Sequence, residues 1–185
     1  RWVMASVLDA QFGIAAETTY GTPVTVSRFY EVQSGDGFDY RPNRVQDSGL
    51  RPNMVGARRA RRVTPNGDYG ASFNHSMLSK GFGLLLNFMM GGTPSNTVIT
   101  GGNQVVHTLG GALKPFTGQL GVPRIDTDGS ATVDAFTATG CTIPSFGFSL
   151  DNADILKLKY DVDARDMTTA TALATASYPS GANLF

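Results

Sequence analysis

Between residues 68 and 77 the chain alternates without a slip. Tyr69, Ala71, Phe73, His75 and Met77 fall on one side, and Asp68, Gly70, Ser72, Asn74 and Ser76 on the other. A two-residue period puts these sets on opposite faces of a strand, one apolar and one polar. The same rule governs 154–163, where Leu156, Leu158, Tyr160 and Val162 face one way and Lys157, Lys159, Asp161 and Asp163 the other. A strand with one apolar face must sit in a sheet and be covered by a second layer. Further strands are expected at 26–33, with bulk on both faces, and at 105–109, 116–125, 131–138 and 143–151. Asp151-Asn152-Ala153 reads as the turn joining the last two strands.

One segment has helical spacing, at about 79–91. Phe82, Leu85, Leu86 and Met89 fall at i, i+3, i+4 and i+7, Ser79 is placed to cap the start, and Gly91-Gly92 supplies the stop. Gly81 and Gly83 each cost about 1 kcal/mol relative to Ala, so this helix depends on the sheet it covers. The expected fold is mainly β: a β-sandwich or barrel-like domain with one flanking helix. Residues 1–25 read as an N-terminal arm and 26–185 as the domain. The Ala- and Thr-rich stretch 164–182 has no clear period.

Against this regular background, 41–62 is irregular. RPNRVQDSGLRPNMVGARRARR repeats Arg-Pro-Asn at 41–43 and 51–53 and includes Gly49 and Gly56. The prolines and glycines argue against one long helix or one paired strand, so a long loop is expected over about 41–65. Arg41, Arg44, Arg51, Arg58, Arg59, Arg61 and Arg62 are seven of the chain's 15 basic residues, and Asp47 is one of its 15 acids. The segment therefore carries +6 and the remainder −6, although the formal net charge is zero. Three readings are open: a solvated surface loop, a nucleic-acid arm, or a connector that docks on the acidic surface of another copy. Arginines would suit phosphates. A polyanion would, however, be repelled by the acidic remainder, and little aromatic interleaving is present for stacking on bases. Segregated opposite charge in one chain favours the connector.

Chemistry is sparse elsewhere. His75, on an apolar face, reads as a packed, hydrogen-bonded histidine, and His107 is unremarkable. Cys141 stands alone, which excludes a disulfide framework and a thiol metal cluster, and it reads as a small buried hydrophobe. Asp126-Thr127-Asp128-Gly129 resembles a calcium-loop fragment but lacks the closing acid, so a hairpin turn is expected. Asp161, Asp163 and Asp166 sit at a strand end with Arg165 among them and suit a solvated or partner-facing acidic edge. No phosphate cradle precedes the helix. No cofactor is expected, and no apolar run reaches the roughly 18 residues of a membrane span.

The order of segments also resembles a known family. FGIAAETTYGTPVTVSRFYEV, then the long basic stretch, then NGDYGASFNHSMLSKGFGLLLNFMMGG, is similar to the tail tube protein (major tail protein) of long, flexible-tailed bacteriophages. GGALKPFTGQLGVPR and IPSFGFSLDNADILKLKYDVDA resemble the second half of that family's core. The resemblance implies a structural, non-enzymatic virion protein assembled in the host cytoplasm. Its rings, hexameric in the family, stack into a hollow tail tube around a tape measure protein and meet tail terminator and distal tail proteins. DNA passes through an electronegative lumen without specific binding, and no membrane is involved. Segment 41–62 would then be the loop reaching the adjacent ring, with Asp126, Asp161, Asp163 or Asp166 of a neighbour as acidic partners. The N-terminal arm would make a second contact between subunits. The resemblance also implies further strands beyond Phe185, and Met4 begins a plausible natural start. A nucleic-acid-binding β-domain using 41–62 is the alternative.

Overall fold

The computed structural model describes residues 10–185 except 34, 48, 50, 51, 54, 55, 57 and 58. The chain is mainly β, with strands β1 (Gln11–Ala16), β2 (Arg28–Tyr30), β3 (Gly37–Gln46), β4 (Arg62–Ser76), β5 (Ser95–Ile99) and β6 (Gly102–Val106). After these come β7 (Phe116–Ile125), β8 (Ala131–Ser149), β9 (Lys157–Ala164) and β10 (Asp166–Thr168), and helix α1 (Gly83–Met90) lies between β4 and β5. Seven strands follow one antiparallel path, β2-β1-β7-β8-β9-β4-β3, with β10 added to β8; β5 and β6 form a separate hairpin. Among the described residues the path does not close into a barrel.

The path folds over on itself at β8. Residues 131–141 of this strand pair with β7, and 142–149 pair with β9. Register shifts fall on both sides of the corner, between Phe116 and Gly118 and between Thr142 and Ser145. Gly140 sits at the corner with φ 61°, and an added Cβ would lie 2.8 Å from the Arg165 side chain. A strand that bends through bulges in this way can belong to two facing layers. Phe12 of β1 stacks on Phe73 of β4 with ring centroids 4.2 Å apart, joining the layers across the core. Phe12, Ile14, Phe73, Phe116, Leu158 and Tyr160 are all fully buried or nearly so.

Several expectations are corrected here. The sequence reading of 131–138 and 143–151 as two strands gives way to the single strand β8, because its bend is made by a bulge rather than a turn. The expected arm contains a core strand: Phe12 and Ile14 of β1 are 0% exposed. Its alternation is masked by Gly13, where a Cβ would meet the Phe29 and Val26 side chains at 2.8 Å. The 26–33 strand contracts to Arg28–Tyr30. The single strand expected at 105–109 is instead the two-stranded hairpin 95–106. The helix begins at Gly83, not near Ser79, because Gly81 has φ +98° and breaks the turn. Ser79 is used instead by the chain end: its Oγ accepts from the Asn183 amide at 3.0 Å. The helix stop is as expected, with Gly91 at φ 73° and its N–H donating to the Asn87 carbonyl at 3.0 Å. Phe82, Leu85 and Met89 are buried, Leu86 is half-buried, and the unanticipated Phe88 is 1% exposed and stacks on Phe116 at 4.8 Å.

Candidate assembly interface

The expected 41–65 loop is shorter than its prolines and glycines suggested. β3 and β4 form a hairpin paired from Gly37↔Ser72 to Gln46↔Arg62, so both flanks of the basic segment are strand. Pro42 is tolerated because β3 is an edge strand, where a missing N–H costs no ladder bond on the open side. The register shifts between Asn43 and Val45, where Arg44 stands opposite Thr64 and Pro65, so the second proline falls at a bulge. Tyr40 stacks on Tyr69 at 4.7 Å, and its ring lies over Gly67, where an added Cβ would come within 2.2 Å. Beyond Tyr69 the hairpin has no third strand among the described residues, since β9 pairs with β4 only over Tyr69–Ser76. From Arg41 to Gln46 it therefore stands out as a two-stranded arm about 20 Å long, and a 3₁₀ turn at Arg59–Arg61 leads directly into β4.

Charge on this arm is only partly spent within the chain. Arg41 Nε donates to Asp39 at 2.7 Å and Arg61 to Asp47 at 2.5 Å, both between exposed side chains. Among the described residues, Arg44, Arg59 and Arg62 form no ion pair. Arg51 and Arg58 lie outside the described residues. The four acids proposed as partners are dispersed. Asp126 is in the β7–β8 turn, paired with Arg124 and accepting from Thr132 Oγ1 at 2.8 Å. The turn itself closes through Gly129 N–H to the Asp126 carbonyl at 2.9 Å, as expected for this tetrapeptide. Asp161 accepts from Ser145 Oγ at 2.6 Å and from Ser72 Oγ, and these hydroxyls, Ser145 first, hold its carboxyl below the usual range. Asp163 is exposed on the same sheet face, opposite Gly70 and Thr142. Asp166 receives the Met167 amide at 2.8 Å. The structure therefore brings Asp161 and Asp163 together on one face, beside Asp39 and Asp68 in a shallow depression of about 430 Å³. It leaves Asp126 and Asp166 elsewhere.

The other side of these four strands is the core. His75 is 2% exposed; its Nδ1 donates to the Glu31 carbonyl at 2.8 Å, and its Nε2 accepts from the Tyr160 hydroxyl at 2.9 Å. Cys141 is fully buried, which pushes its thiol up to about 12. Among the described residues no cluster of His, Cys, Asp and Glu could hold a metal ion, and no helix is long and apolar enough to cross a membrane. Sequence reasoning missed Glu17, which is 9% exposed and accepts from Gly21 N–H at 2.7 Å, Gly140 N–H at 2.8 Å and Thr117 Oγ1 at 2.9 Å. It ties the end of β1 to the β8 corner.

The four-strand layer β3-β4-β9-β8 ends in two open edges. Among the described residues, β3 pairs only with β4, and residues 142–149 of β8 pair only with β9. With a protruding basic arm, this is the geometry of a subunit made to join others. Solved structures with the same fold include the SPP1 tail tube, at 11% identity and TM-score 0.54, covering 89% of this chain and 77% of that one. The anti-feeding prophage baseplate is similar at 8% identity and TM-score 0.51, covering 90% of this chain and 95% of that one. No curated protein sequence matches the chain. The fold is that of tail tube subunits. The family described as "Phage tail tube protein" matches residues 8–185, and the chain belongs to that family, as a structural protein of the phage tail.

Proposed function

We propose that the chain closes into rings, hexameric ones, by edge-to-edge pairing of the four-strand layer, and that the basic arm joins each ring to the next. The observation that carries this is the pair of open edges on opposite sides of one layer. Residues 142–149 are uncharged, and all of 144–149 are exposed, while β3 carries Asp39, Arg41 and Arg44. Open edges are a hazard in a monomer and a pairing site in an assembly. Because the two edges differ, the contact is heterologous, and such contacts make rings when the rotation closes. The arm projects past the layer, which suits a contact along the stacking direction. Arg44, Arg59 and Arg62, which form no ion pair among the described residues, would carry that contact. On the receiving copy, Asp163 is favoured over Asp126, Asp161 and Asp166, whose carboxylates already accept hydrogen bonds or an ion pair within the chain. Because β1 belongs to the core, a further contact between subunits from the N-terminal segment through residue 25 would fall to its residues outside that strand.

In this reading the protein's role is mechanical rather than catalytic. Its lumen passes DNA without specific binding, and its other partners are a tape measure protein and the proteins at the two tube ends. Assembly takes place in the host cytoplasm and the product resides in the virion. Electron microscopy of purified protein with Arg44, Arg59 and Arg62 changed to Glu provides the test. The expected result is folded protein that forms rings but no stacked tubes, where the parent forms tubes of uniform diameter. Normal tubes from the variant would sink the arm's role. A parent that stays monomeric at high concentration yet retards DNA in a salt-dependent way would sink the tube reading in favour of nucleic-acid binding.

A further inference from the structure

The β5–β6 hairpin is unexplained by edge pairing or by the basic arm. Its 12 residues, 95–106, are all exposed, and among the described residues β5 and β6 pair only with each other. A two-stranded hairpin standing alone in water is at best marginally stable. Here both faces carry aliphatic side chains: Val98 and Val105 on one, Ile99 and Val106 on the other. Val98 is 81% exposed, and Leu109 just beyond is 79% exposed. Residues 81–113 contain no Asp, Glu, Lys or Arg, although 16% of the chain is charged. Charge depletion with exposed aliphatic area marks the buried part of a protein interface rather than a solvated loop.

The hairpin is held out rigidly. At its root Gly110 N–H donates to the Met90 carbonyl at 2.7 Å and Gly92 N–H to the Thr108 carbonyl at 3.1 Å. Lys114 Nζ bonds Asn87 Oδ1 at 3.0 Å and the Gly92 carbonyl at 2.8 Å. A Cβ at Gly92 would sit 2.1 Å from the Thr108 carbonyl oxygen, so the backbones meet closely there. A fixed arm loses less conformational entropy on docking than a floppy one.

A surface of matching chemistry lies on the same chain. Residues 135–150 are also free of charged side chains, and Phe146, Phe148 and Leu150 are 38%, 50% and 63% exposed. The two phenyl rings stand at 81° with centroids 6.1 Å apart and wall a depression of about 310 Å³. The chain's own hairpin leaves this strip uncovered. Ser149 is paired with Lys157, beside the Leu156 carbonyl that accepts from Met77 ahead of α1, whereas the hairpin leaves from the far end of that helix.

We propose that the β5–β6 hairpin docks on the Phe146–Phe148–Leu150 strip of a second copy of this chain. This rests on the reading of the chain as a self-assembling subunit. Apart from Lys159 and Asp161 of β9, which also line that depression, the two surfaces that meet are uncharged, and the strip lies on the same stretch of β8 as the open edge assigned to ring closure. Donor and acceptor are different patches, so the contact propagates from copy to copy.

Two variants test this in full-length protein. Val98→Asp/Val105→Asp changes only exposed positions, so the monomer is expected to keep its circular dichroism spectrum, while the concentration needed for assembly rises at least tenfold. Val98→Cys/Phe148→Cys, treated with a short bis-maleimide during assembly, is expected to give a ladder of covalent oligomers that neither single variant gives. Buried Cys141 does not compete. If the parent assembles and the aspartate variant assembles equally well, or the ladder is absent, the inference falls while the tube reading stands. A parent that never assembles overturns both.

Discussion

At the residue level, His75 is the group whose protonation the fold opposes most directly. A carbonyl can only accept, so Nδ1 carries the hydrogen that meets Glu31, and Nε2 is left to accept from Tyr160. The rings of Phe12, Phe73 and Phe82 lie around the imidazole, with centroids 6.1 to 6.4 Å away. Burial lowers its pKa, a shift only partly offset by the Glu31 carbonyl and the negative charge of Asp36. The unfolded chain therefore binds this proton at higher pH than the fold does. Stability contributed by neutral His75 is complete above about pH 6.5 and is lost as pH falls toward the depressed folded value, by up to about 1.4 kcal/mol per pH unit. Thermal melts of unassembled protein between pH 7 and 5 are expected to show this fall, and His75→Gln is expected to flatten it relative to the parent. An unchanged slope in that variant would refute the assignment. The histidine's role was legible because strict alternation placed it on an apolar face. Glu17 was not legible, because its three donors come from positions 21, 117 and 140, and a residue 123 positions away leaves no local trace.

Among the elements, those with clean periods were readable and those shaped by a bulge or a glycine were not. The alternation of 68–77 and 154–163 gave β4 and β9 and the side each residue faces. The 3.6-residue spacing of Phe82, Leu85, Leu86 and Met89 located α1, with Leu86 half-buried against the core, but it overlooked Phe88. The reason lies in what α1 packs against. Phe116, at the start of β7, offers a flat ring beside the helix and draws Phe88 into the core, while Leu86 is left half-buried. Phe88→Ala is therefore expected to cost about 3–5 kcal/mol, the usual range for emptying a buried phenylalanine site. Leu86→Ala is expected to cost well under half of that, because it opens little buried space. Urea denaturation of the two variants checks the order, and equal losses would mean that the sequence period, not the observed packing, describes the helix. Gly140 hid the unity of β8 in the same way. A left-handed glycine reads as a turn in sequence, but the flanking bulges make it a corner inside one continuous strand.

For the whole molecule, composition showed the separation of +6 from −6, and the structure shows how that separation is displayed. Much of the positive charge stands on an arm, while the uncharged stretches 81–113 and 135–150 carry the exposed aliphatic and aromatic surface. The two kinds of surface respond differently to salt. At 0.1 M ionic strength the Debye length is about 10 Å, and at 1 M about 3 Å, so exposed charges attracting across a subunit contact are largely screened at the higher value. Strand pairing and apolar burial do not depend on that length, and many salts strengthen burial rather than weaken it. If the arm joins rings and the edges with the β5–β6 hairpin join subunits within them, raising sodium chloride from about 0.1 M to 1 M should separate tubes into rings and leave the rings whole. Sedimentation and negative-stain micrographs across that range distinguish the cases. Tubes that persist unchanged would remove the arginines from the stacking contact, and direct passage from tubes to monomers would mean that charge also holds the ring. The rings-only plateau is the expected result, and it should already be reached at low salt when Arg44, Arg59 and Arg62 are reversed to Glu.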